Sequence, residues 1–112
     1  MIRNAVPLLL VTGGCSSTIS FEITNRTDLR VGVEVAEVER SRATIPPGDQ
    51  RRVVIGYEPG ARHTLVVLDD GAEIQRIPCP DLPVAIDSRV HHTLVVRVHP
   101  DPAESTCTLP AF

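Results

Sequence analysis

The sequence predicts an all-β chain: an antiparallel two-sheet sandwich of six or seven short strands, with a small β-barrel as the alternative closure. Three observations carry that expectation. Apolar and polar residues alternate with period two from Ser17 onward. Turn-forming pairs built on Gly, Pro, Asn and Asp punctuate the chain roughly every 8–12 residues, the rhythm of a sandwich. Helical periodicity is missing, because the charged stretch 34–42 is the nearest candidate and its β-branched start opposes a helix.

Taken in order, Ile19, Phe21 and Ile23 alternate with Ser20, Glu22 and Thr24, giving a first strand with one wet face. Asn25 to Asp28 supplies turn chemistry, since Asn and Asp side chains bond their own backbone. Leu29, Val31, Val33 and Val35 then alternate with Arg30, Gly32, Glu34 and Ala36, the clearest strand in the chain. A charged stretch over 37–43 leads to Pro47-Gly48, which fits the centre of a type II turn. Val53, Val54 and Ile55 form a short strand, and Pro59-Gly60 turns the chain again. Residues 64–68 are apolar on both faces, and Asp70-Gly71 joins them as a hairpin to a strand over 72–77.

Three prolines over 78–83 demand a loop or a sheet edge. Residues 84–86 offer one further short strand, and His92, Leu94, Val96 and Val98 define the last. The pentapeptide His63-Thr64-Leu65-Val66-Val67 recurs as His92-Thr93-Leu94-Val95-Val96, which fits two central strands covered on both faces. The pattern resembles immunoglobulin-like or transthyretin-like sandwiches at the level of architecture.

Composition narrows the function. The chain has 112 residues, 11 arginines and no lysine, 14 acids and a net charge of −3. No basic excess is available for a nucleic-acid partner. The missing lysines exclude Schiff-base chemistry and a Walker-type phosphate lysine. With only Phe21, Tyr57 and Phe112 aromatic, a stacking platform is not expected.

The opening residues read as an address. One positive charge at Arg3 precedes an apolar run over 5–11, and Thr12-Gly13-Gly14-Cys15 follows. That layout is the layout of a secretory signal, and the run is far below the ~18–20 residues of a spanning helix. Thr12-Gly13-Gly14-Cys15 also resembles the bacterial lipobox, with Thr12 where Leu is usual. The resemblance implies a signal peptide over 1–14, a lipidated Cys15 with a short linker over 15–18, a sandwich over 19–99 and a Pro-rich tail over 100–112. A first β-strand over 6–11 closed by a Gly13-Gly14 turn is the competing reading.

The resemblance also bears on the thiols. With Cys15 lipidated, Cys79 and Cys107 are left to form a disulfide, although two inert thiols remain an alternative. Such a bridge closes a loop of about 29 residues and contributes roughly 3.5 kcal/mol in the chain-entropy treatment.

Other chemistry is thin. His91 and His99 share a strand face but lie about 26 Å apart at strand rise, and His92 points the other way. His63 could meet His92 if the two echo strands pair in register, giving weak two-ligand metal candidates. The turn aspartates Asp28, Asp49, Asp69, Asp70, Asp81 and Asp87 match no calcium-loop spacing. No nucleophile elbow surrounds any serine. Asn25-Arg26-Thr27 matches a glycosylation sequon.

The expectation is a non-catalytic module without cofactor, held to a bacterial envelope membrane by Cys15 and partnered with another envelope protein. A soluble periplasmic or extracellular binding domain, with or without metal, is the first alternative. An intracellular structural or virion subunit with residues 6–11 as a strand is the second.

Overall fold

The computed structural model of the chain describes residues 18–82 and 92–109. Side-chain alternation sets its layers. In β1 (Thr18–Asn25), Ile19, Phe21 and Ile23 are buried on one side, while Glu22 and Thr24 lie partly open on the other. β2 (Val31–Val35) repeats the rule, burying its three valines. The remaining strands are β3 (Ala43–Ile45), β4 (Gln50–Gly56), β5 (Thr64–Asp69), β6 (Ala72–Pro78), β7 (His92–Val98) and β8 (Thr106–Thr108). They form two four-stranded sheets, ordered β4-β1-β7-β8 and β3-β2-β5-β6, with no closed barrel. The fold is a two-sheet sandwich.

Several local expectations need correction. Eight strands are present among the described residues, against six or seven expected, because β3 and β8 are only three residues each. The first and last long strands run parallel, with Ile19 opposite His92 and Asn25 opposite Val98. Every other ladder is antiparallel. Leu29 sits in the loop before β2 and is 45% exposed, so the second strand starts two residues later than its alternation suggested. The expected short strand at 84–86 lies outside the described residues.

The inner faces meet in one core. Phe21, Ile19, Ile23, Leu65 and Leu94 are its largest members together with Ile45. Complete burial of Phe21 contributes on the order of 2–3 kcal/mol by transfer. β5 carries buried residues on both faces, Leu65 and Val67 inward, Val66 and Leu68 outward. It is central in its sheet, as β7 is in the other. The hairpin between β5 and β6 turns on Asp70 (φ 51°) and Gly71 (φ 84°), two left-handed residues as a type I′ turn requires.

Two devices tie the layers together. Asn25 is fully buried at the end of β1, where its amide joins three segments. Its Nδ2 donates to the carbonyls of Leu29 (2.7 Å) and Ile45 (2.9 Å), and its Oδ1 accepts from the Thr27 amide (2.9 Å) and hydroxyl (2.7 Å). The second device is a disulfide between Cys79, just after β6, and Cys107 in β8, which joins one sheet to the other. Beside it Ser105 donates to the Gln75 side chain at 2.7 Å, and Gln75 donates to the His99 carbonyl.

Substituting Asn25 by Ala strands buried donors and acceptors in three segments at once. Asn25→Ala is therefore expected to lower the unfolding free energy by about 2–4 kcal/mol. Urea denaturation checks this, with the midpoint falling and the slope unchanged.

Candidate functional site

The sandwich has two ends. β1 and β7 begin at the same end, where β4 finishes at Gly56, β6 finishes at Pro78 and β5 starts at Thr64. The opposite end carries loops 26–30, 46–49, 70–71 and 99–105. Asn25 stiffens that end, with Asn25 N donating to Asp49 O and Arg26 N to Val98 O. A hollow of about 520 Å³ opens there between Arg26, Thr27, Asp28, Pro47 and Gly48. The sequon asparagine borders it, but both polar atoms of the buried Asn25 side chain are engaged in hydrogen bonds.

A second hollow, about 340 Å³, lies on the outer face of the β3-β2-β5-β6 sheet. Its origin is local and steric. Gly32 stands on the outward side of β2 between Thr44 of β3 and Leu68 of β5, so one position of the sheet face has no side chain. Leu68 forms an apolar floor at 8% exposure. Arg30 and Arg42 line the hollow from the β2 and β3 side, and Asp69 and Asp70 from the β5–β6 turn. Arg42 is held by Glu34, its Nε at 3.1 Å and its Nη2 at 2.6 Å from the same carboxylate oxygen. Among the described residues Arg30, Asp69 and Asp70 enter no ion pair. Arg30, and Arg42 paired with Glu34, thus share one hollow with two carboxylates and form no ion pair with them.

Of the residues singled out in the sequence, Asp69 and Asp70 line this hollow and Asp28 the first, whereas the cysteines and histidines fall elsewhere. Cys15 lies outside the described residues. Cys79 and Cys107 are joined to each other. His63 stands just before β5 in one sheet, whereas His92 opens β7 in the other and pairs with Ile19. The echo strands therefore do not pair, and the register that would have brought the two imidazoles together is absent. Among the described residues no three His, Cys, Asp or Glu side chains converge on a metal position. Ser41 is buried, accepts from the Val35 amide at 3.0 Å and donates to the Val38 carbonyl at 2.7 Å. It closes the end of β2.

His63 has a packing role. Its ring meets Phe21 edge-on, centroids 6.0 Å apart and planes at 89°. Its Nε2 is sealed from solvent and finds no hydrogen-bond partner among the described residues. Burial pushes the imidazole below its ordinary pKa, and the Glu58 carboxylate opposes that weakly. At the same end Arg62 holds the Asp81 carboxyl below its usual range across an exposed ion pair.

The unfolded chain takes up a proton on His63 near pH 6.5 and the folded chain only at lower pH. Stability contributed by the neutral ring is thus full above about pH 6.5 and is lost progressively as pH falls from there through the lower pKa of the folded ring. His63→Leu keeps an apolar contact with Phe21 and removes the titration. Melting temperatures measured from about pH 7 to about pH 5 should fall less steeply for this variant than for the unsubstituted protein.

No family model and no curated protein matches the chain. Among solved structures, one described as the NMR structure of the protein from Eubacterium rectale superposes with a TM-score of 0.45 and 8% identity. The match covers 91% of this chain and 95% of that one. At this level of agreement neither fold nor function is carried across.

Proposed function

We propose that the chain is a non-catalytic, lipid-anchored module of the bacterial cell envelope, a β-sandwich that binds or assembles with another envelope protein. The observation that supports this reading is the Cys79–Cys107 disulfide. Structural disulfides persist in oxidising compartments and are uncommon in the cytosol of mesophiles. The bridge also uses two of the three cysteines and leaves Cys15, in its lipobox-like setting, as the odd one. A diacylated cysteine supplies two chains, enough for stable anchoring.

Geometry gives the reading a direction. Cys15 precedes Thr18, the first residue of β1, by three positions, a reach of about 10 Å at most. A lipid there would hold the Thr18 end of the sandwich against the membrane. The eight residues of β1 would then lift the Asn25 end about 23 Å away, with both hollows toward that side. The soluble exported domain, the first alternative, fits the same disulfide and differs only in the fate of Cys15.

Intact-mass measurement on protein from the membrane fraction of the native host tests the anchor. The expected mature chain begins at Cys15 and carries a diacylglyceryl group, and Cys15→Ser should move the protein to the soluble fraction. A soluble chain retaining Met1 would remove this reading.

A further inference from the structure

We propose that the hollow over Gly32 binds a small zwitterion, an α-amino acid or a dipeptide with both termini free. Its carboxylate would face Arg30 and Arg42, its ammonium Asp69 and Asp70, and its apolar part Leu68. The inference gives a ligand class to the binding module proposed above, rests on that reading as non-catalytic, and does not depend on the anchor at Cys15.

Three features of the site converge on this class. The first is shape: a hollow of about 340 Å³ lies over Gly32 on the sheet face, near the lower bound of small-molecule sites. The second is charge. Cations line one side and carboxylates the other, so a ligand with a single charge would satisfy one wall and meet repulsion from the other. A ligand carrying both signs is attracted by each. Arg30 and the two aspartates have no ion-pair partners among the described residues, so binding would break no existing bridge with them.

The third feature is rigidity. Gly32 is fixed by pairing with Thr44 on one side and Leu68 on the other, and the Asp70-Gly71 turn holds the acidic wall at the end of β5. Glu34 takes both contacts of Arg42 on one oxygen, which sets the guanidinium in place. The backbone of the site thus needs little ordering on binding, and the cost falls on the exposed side chains of Arg30 and Asp70.

The dimple can be closed without strain. A Cβ on Gly32 would meet Arg42 Cδ and Leu68 Cβ at 3.8 Å each, ordinary contact distances. Gly32→Leu therefore places an apolar side chain in the floor of the hollow and obstructs it while keeping the strand. Arg30→Gln and Asp70→Asn remove one charge from each wall at exposed positions, and Asn tolerates the left-handed backbone of residue 70.

The experiment is a titration of the full-length chain with the dipeptide Ala-Leu, followed through backbone amide resonances. Two capped forms run in parallel: the N-acetyl dipeptide and the dipeptide amide. Saturable shifts centred on Gly32, Leu68 and Gly71 are expected for the zwitterion. Each capped form, and each of the three variants, should bind about tenfold or more weakly. Equal binding of the capped forms, undiminished binding by Arg30→Gln and Asp70→Asn, or shifts that never saturate would each overturn the proposal. None of those results would touch the anchor, which is read from the mass at Cys15.

Discussion

The covalent bond between Cys79 and Cys107 fixes the one boundary that strand pairing alone secures weakly. Cys107 belongs to β8, three residues that add an edge to β7 and have no other ladder. So short a strand has little to hold it once the entropy of ordering the preceding Pro-rich segment is counted. The bridge removes much of that entropy from the unfolded chain, and the Gln75–Ser105–His99 contacts align the segment before it. With β8 in place, β7 becomes a central strand, and its parallel partner β1 is enclosed between β7 and β4. The seating of β8 thus depends on the same pair of sulfurs that supports the proposed export.

Most of the architecture was legible because alternation reports burial directly. Ile19, Phe21 and Ile23, or Val31, Val33 and Val35, need no tertiary information to declare an inner face. The doubly apolar run of β5 declared a central strand for the same reason. Turn chemistry was equally explicit at Asp70-Gly71. What escaped was either too short or too distant. Three residues, as in Ala43–Ile45 and Thr106–Thr108, cannot establish a period. The parallel pairing of β1 with β7 brings together segments some seventy positions apart and leaves no local trace in either.

The site was legible only in pieces. Gly32 read as one polar step of an alternating strand, and nothing in the sequence said that Leu68 would be its neighbour. Asp69 and Asp70 read as a hairpin tip, which they are, but their closeness to Arg30 and Arg42 is a product of cross-strand register. Register also decided against the histidines. Identical flanks suggested an in-register pairing of His63 with His92, yet each strand found its place in a different sheet. The sealed Nε2 of His63 follows from packing against Phe21, a contact between separate sheets that no spacing rule encodes.

The most direct measurement of the central claim is the state of the two sulfurs in the native host. Rapid acid quenching, followed by alkylation of free thiols before and after reduction, reads it residue by residue through peptide mass. The account requires Cys79 and Cys107 to be protected until a reductant is added. If both are alkylated without reduction in the native host, the bridge, the exported location and the closure of the sandwich by β8 are contradicted together.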